Sequence, residues 1–172
     1  KEGYCVKTNN LVKWSRSKYW FTDYSWIQQE SVFWKRSLWE RSGGYINKEL
    51  KFAGDFELWC RFFDHAELYS VYTSLAGFRL HGSQITSEFK KEYETEAGRI
   101  AGKFVPSTRG EKRKYFRLSI FKWLQKAAKL TIIFFFLEPF LAKVVERLHG
   151  FPNVIRYNFT ELKWEIATKK KT

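Results

Sequence analysis

The sequence reads as an α/β domain followed by C-terminal helices, and three observations carry that reading. Apolar residues make up 44% and aromatics 20% of the 172 residues, enough for one domain with a real core and too many for a disordered tail. Strand-like and helix-like stretches follow one another from Gln28 to about Phe104, punctuated by glycine. The character then changes: from Lys103 to Lys129 there are nine Lys or Arg and one acid, Glu111. Residues 1–104 are therefore read as one unit and residues 105–172 as a basic, helical extension and tail.

Residues 3 to 15 predict a hairpin, in which Tyr4, Val6 and Thr8 alternate with Cys5 and Lys7, Asn9-Asn10 takes the turn, and Leu11 to Trp14 returns. Residues 16 to 26 are aromatic and irregular, more like a loop over a cleft. Gln28 to Trp34 should be a buried strand. Ser37 looks like an N-cap with Glu40 three residues on, the capping-box arrangement, and the helix Leu38 to Ser42 stops at Gly43-Gly44. Asp55 to His65 is the next helix, with Phe56, Trp59, Cys60 and Phe63 at core spacing. Leu68 to Leu80 predicts one strand or two short ones, and Thr86 or Ser87 can cap a helix running to about Phe104. Pro106 to Gly110 has the composition of a linker.

Beyond Glu111, Phe116, Ile120, Trp123, Leu124 and Ala127 line one side of a helix, and Lys114, Arg117, Lys122, Lys126 and Lys129 line the other. The apolar run 130–142 is interrupted by Glu138 and Pro139 and is too short to span a bilayer, which needs about 20 apolar residues. A basic amphipathic helix followed by such a run suits an anionic membrane surface through residues 111–148, or packing on the core. The tail predicts a short strand around Val154 to Phe159 before Lys169-Lys170-Lys171.

Net charge of +13 suits partners that are nucleic acid, anionic lipid or nucleotide phosphates. Cys5 and Cys60, with no CxxC, argue against a disulfide scaffold and a zinc ribbon and fit a reducing compartment. The chain has no methionine, even at position 1, which is what a chain beginning inside a longer protein would show.

The stretch from Gln28 to His81 carries an ordered set of features. Gln29 and Ser31 lead into Phe33-Trp34-Lys35-Arg36, a short helix ends in Gly43-Gly44, Asp55 follows eleven residues after Gly44 and opens Asp-Phe-Glu-Leu-Trp, and Arg79-Leu80-His81 closes the stretch. In order and spacing this set resembles the second half of the catalytic domain of family 2 glycosyltransferases, the inverting GT-A type that uses nucleotide sugars. The resemblance covers roughly residues 3 to 104 and is dense only from 28 to 86. It implies a partial GT-A, Rossmann-like fold lacking its N-terminal nucleotide-binding half, with a nucleotide-sugar donor and a carbohydrate or lipid-linked acceptor. Asp55 aligns with the family's general base, although Gly54 stands where the family usually has an acid. The bland alternative for Asp55 is a helix N-cap. Gly43 and Gly44 match the glycine loop ahead of the base. Gln29, Glu30, Trp59 and Arg61 are candidates for acceptor contacts, and Trp20, Trp26 and Trp34 for stacking on sugar. Arg79 is a candidate for the diphosphate. His81 falls where many such enzymes place a ligand for a divalent metal, Mg or Mn.

No Asp-x-Asp motif occurs, so most metal ligands and the nucleotide site are expected upstream of Lys1, and the fragment alone is expected to be inactive. The implied setting is surface polysaccharide or glycolipid synthesis, in the cytoplasm or peripheral on the cytoplasmic membrane face. The alternative class is a basic nucleic-acid-binding module without catalysis. Against it, the aromatics fall at core spacing and no nucleic-acid motif is present.

Overall fold

The computed structural model describes residues 12–24, 27–77, 88–128 and 134–167. Residues 3–11 of the expected hairpin, Cys5, Trp26, Arg79, His81, the Thr86 and Ser87 caps, Lys129, the start of the apolar run and the terminal lysines lie outside these. The architecture is mixed and mostly helical, with helices α1 (Arg36–Arg41), α2 (Gly54–Phe62), α3 (Lys90–Ala101), α4 (Arg109–Ala128) and α5 (Phe134–His149). Strands β1 (Ile155–Asn158) and β2 (Lys163–Ile166) pair antiparallel, with Tyr157 opposite Trp164. Among the described residues this is the only sheet; no parallel sheet of the kind the resemblance implies is present among them.

The core forms around α2. Phe56, Leu58, Trp59, Cys60 and Phe62 are buried on it, and Ala97, Ile100 and Ala101 of α3 close the other side. Phe56 is 2% exposed and stands among three tyrosine rings, with centroids 4.8 Å away for Tyr19, 5.9 Å for Tyr24 and 6.4 Å for Tyr93. These edge-on contacts are the geometry aromatic quadrupoles favour. The helix ends at Phe62, and the expected stretch to His65 is a turn closed by His65 N–H donating to the Phe62 carbonyl.

The segment expected as a loop at 16–26 contains a 3-10 helix, Arg16–Phe21, that joins the core to the C-terminal helices. Tyr19 packs on Phe56 and Phe63, whereas Phe21 stacks on Tyr115 of α4 with centroids 5.1 Å apart. Arg16 pairs with Asp64 at 2.8 Å, and Lys13 with Glu146 of α5 at 2.7 Å. Ser17 lies buried between them, its Oγ 2.8 Å from His149 Nδ1. Residues 12–14, the described part of the expected return Leu11 to Trp14, are not strand.

Three further expectations change. Gln28–Trp34 is not a buried strand: Gln29–Ser31 is a 3-10 turn, and Phe33 is 77% exposed. A strand needs neighbours to satisfy its ladder groups, and Ser31 N–H instead donates locally to the Gln28 carbonyl at 3.0 Å. Ser37 does not cap α1; the helix starts at Arg36, and Glu40 pairs with Arg36 at 2.9 Å. Residues 68–77 form a single bridge, Val71 to Ile155, in place of a strand.

Helix α4 begins at Arg109, inside the expected linker, because a capping box forms there. Thr108 Oγ1 accepts from Glu111 N–H at 3.1 Å, and Glu111 Oε2 accepts from the N–H groups of Thr108 and Ser107 at 3.1 and 3.0 Å. These backbone donors, led by Thr108, outweigh the opposing effect of burial, and with the Ser107 hydroxyl and Arg16 they hold the Glu111 pKa down to about 2. Helices α4 and α5 pack on each other, with Leu118 and Leu141 buried and Pro139 inside α5. No helix among the described residues is long and apolar enough to cross a membrane. The tail strand expected near Val154–Phe159 is β1, and β2 was not foreseen.

Candidate functional site

Asp55 is the second residue of α2, after Gly54, inside the helix and not at its N-cap position. Ala53 occupies the N-cap position and makes no side-chain cap bond. The backbone N–H groups leading into α2 are held from a distance by Glu96 of α3. Its Oε1 accepts from Lys51 at 3.2 Å, and its Oε2 accepts from Phe52 and Ala53 at 2.9 Å each. Burial pushes the Glu96 carboxyl up, but these three donors and Arg99 outweigh it and hold its pKa below the usual glutamate range. Those donors precede the helix; within its first turn Asp55 Oδ1 accepts from the Phe56 N–H at 2.7 Å, and the carboxyl also bonds its own backbone N–H.

The Asp55 carboxyl is shifted upward. Burial is the largest cause, its two backbone hydrogen bonds oppose it, and the negative charge of Glu30 adds to it. Tyr93, whose hydroxyl donates to the Tyr24 carbonyl at 3.2 Å, is pushed up by burial and then by Asp55. The groups that interact electrostatically with Asp55 are thus Glu30, on the exposed 3-10 turn, Tyr93, on α3, and Tyr19 in the core.

Further along the same helix, Glu57 and Arg61 clamp the glycine loop. Arg61 Nε and Nη2 donate to Glu57 at 2.9 Å, Nη1 donates to the Ser42 carbonyl, and Nη2 donates to the Tyr45 carbonyl at 2.8 Å. The Tyr45 ring covers the guanidinium with its centroid 4.3 Å away. Between those two carbonyls lie Gly43 at φ +100° and Gly44 at φ +69°. A Cβ on Gly43 would stand 2.8 Å from the Tyr45 ring, so glycine is required there both for conformation and for space. The loop also ends α1, with Gly44 N–H donating to the Trp39 carbonyl at 2.9 Å. Downstream, Ile46 and Asn47 pass beside Gly54, within 4.0 Å of where its Cβ would be.

The structure therefore places Asp55 in the first turn of α2, with Glu30 acting on it, and Arg61 in the last turn, where it holds the Gly43-Gly44 loop; Gln29 is exposed beside Glu30. Arg61, expected at the acceptor, is turned inward with its side chain 14% exposed, and it positions the loop. Trp59 is 4% exposed and belongs to the core. It also lines, with Trp34, Lys35, Arg41 and Glu67, a cleft of about 240 Å³. Of the described stacking candidates, Trp20 and Trp34, Trp34 is the more open, at 43% exposed, and its ring meets Trp59 at 5.7 Å. Arg79 and His81 lie outside the described residues. Among the described residues no group of three His, Cys, Asp or Glu side chains converges to hold a metal ion. They do not by themselves make the divalent-metal site that the resemblance implies.

Glu96 was not singled out in the sequence, since it sits among exposed charges on α3, more than forty residues from the backbone it binds. Compared with protein-family models, curated proteins and solved structures, the chain has no significant match.

Proposed function

We propose that residues 28–104 carry the acceptor side of a sugar-transfer site in a GT-A-type, family 2-like inverting glycosyltransferase, with Asp55 as general base. The observation that supports this most is the placement of Asp55: a half-buried carboxylate in the first turn of α2, its pKa raised by burial and by Glu30, on the helix whose Arg61 clamps the glycine loop. In the step so assigned, the acceptor hydroxyl oxygen attacks the anomeric carbon as its proton passes to the Asp55 carboxylate. The bond from that carbon to the donor phosphate breaks, and the nucleoside diphosphate leaves with the electron pair. A base tuned upward toward working pH transfers the proton more effectively than an ordinary aspartate. Glu30 and Gln29 would face the acceptor, and Arg61 would hold the loop against which donor and acceptor are aligned. The divalent cation that the resemblance implies would need ligands outside the described residues, and no step above runs through it.

Asp55→Asn in the complete protein tests this. With a panel of uridine and guanosine diphosphosugars, release of nucleoside diphosphate should fall at least about 100-fold, as for loss of a general base. Because burial disfavours the charged carboxylate, Tm should stay unchanged or rise. Near wild-type turnover would sink the assignment. A lowered Tm with turnover intact would return Asp55 to a helix-terminus role.

A further inference from the structure

Helix α4 turns one arc of apolar residues away from the rest of the protein. At 100° per residue, Phe116, Ile120, Trp123, Leu124 and Ala127 fall within an arc of about 100°. That arc faces outward: Phe116 is 65% exposed, Trp123 67% and Ile120 41%. The opposite side meets the rest of the protein through Leu118, through Tyr115, which stacks on Phe21, and through two lysines. Lys114 Nζ donates to the His149 carbonyl at 2.8 Å, and Lys122 Nζ sits 4.3 Å from the centre of the Phe21 ring. Burial lowers the pKa of both.

Charge says what the outward face would meet. Arg109, Lys112 and Arg113 continue the apolar row toward the helix start, Arg117 and Lys126 flank it, and all five are exposed. Glu111 is the only acid of α4, and it is turned inward to cap the helix. Cations rim an apolar strip about 12 Å long, from Phe116 to Leu124. On α5, Leu137 and Phe140 are also exposed. An anionic lipid surface matches both parts, taking rings and aliphatic chains below its headgroups and guanidinium and ammonium groups among them. A single-stranded nucleic acid would match the cations and the rings but not Ile120 and Leu124.

We infer that the outward face of α4 docks on an anionic membrane surface, lying in the headgroup plane with Phe116 and Trp123 inserted. This does not depend on the sugar-transfer reading, and either can fail alone. The test is flotation of the chain with vesicles of phosphatidylcholine alone and of phosphatidylcholine mixed with phosphatidylserine, alongside a single-stranded oligonucleotide shift. Binding should require phosphatidylserine and weaken as salt rises. Arg113→Gln with Arg117→Gln should weaken it roughly 20- to 30-fold, at about five-fold per cation. Phe116→Glu with Trp123→Glu should weaken it more than about 100-fold, and both positions are exposed enough for the fold to survive, which circular dichroism checks. If the glutamate variant misfolds, the glutamine pair alone decides the matter. No binding to mixed vesicles, equal binding to neutral ones, or binding indifferent to these substitutions in folded protein would overturn the inference. So would oligonucleotide binding without vesicle binding.

Discussion

Phe56 and Trp123 both belong to a row of apolar residues along a helix, yet one is 2% exposed and the other 67%. On α2 the row meets Tyr19, Tyr24 and Tyr93, and the rings close over it. On α4 the body of the protein is contacted by a mixed side, where Leu118 is buried, Tyr115 stacks on Phe21, and the ammonium groups of Lys114 and Lys122 reach a carbonyl or a ring face. Periodicity thus reports which face of a helix is apolar; the partner surface decides whether that face is buried. The sharpest way to break this comparison is a pair of truncations. Phe56→Ala should cost about 3–5 kcal/mol in urea unfolding, since a caged ring leaves a cavity that cannot collapse fully. Trp123→Ala should change stability by less than about 0.5 kcal/mol, as surface substitutions do. If the second variant lost as much as the first, the outward face of α4 would be part of the core.

Where the two regions meet, a histidine makes the junction sensitive to acid. His149 is 5% exposed, accepts or donates through Nδ1 to Ser17 Oγ, and stacks on Phe151 with centroids 5.1 Å apart. Burial lowers its pKa to about 4, helped by the positive charges of Lys122, Lys114 and Lys18 and opposed by Asp23. The unfolded chain binds that proton near pH 6.5 and the folded chain only near 4, so between these values the unfolded state holds more protons. The stability contribution is fully present above pH 6.5 and is lost as pH falls toward 4, by roughly 3 kcal/mol at most. His149→Gln should flatten the stability profile in that window, and unfolding curves measured across it would show this. A slope unchanged by the substitution would place the acid sensitivity elsewhere. Glu111 acts in a different window: its depressed pKa gives a contribution present above 4.5 and lost as pH falls toward 2.

The sequence made the helices legible and the strands much less so. Gly43-Gly44 ended α1 as expected, and the acid pair Asp55 and Glu57 opened α2 within a residue of its observed start. These are local signals, decided within one or two turns of backbone. The stretch Gln28–Trp34 had a strand-like composition, but strand formation depends on neighbours that the residues themselves do not specify, and here it closes into a 3-10 turn. β2 was missed for the complementary reason: Lys163–Ile166 gains its identity from pairing with β1. At the candidate site, Asp55 and the glycine loop could be placed by spacing. The clamp by Arg61 and the distant anchor Glu96 could not, because both are made in three dimensions by side chains whose sequence context is that of ordinary surface charge.

The smallest effects test the same point inside one motif. Ser37-x-x-Glu40 and Thr108-x-x-Glu111 carry the same N-terminal signature. At the first, the Lys35 carbonyl already accepts from Leu38 and Trp39, Ser37 is inside the helix, and Glu40 reaches back to Arg36. At the second, Thr108 stands outside the helix, and its hydroxyl and the Glu111 carboxylate exchange bonds with each other's backbone. Thr108→Ala should therefore cost about 1 kcal/mol. Ser37→Ala should fall within about 0.5 kcal/mol of wild type, because its hydroxyl satisfies no helix-terminal donor. Equal losses at the two positions, read from matched unfolding curves, would show that the signature acts through sequence alone; unequal losses would show that it acts only where the preceding backbone leaves the helix start open.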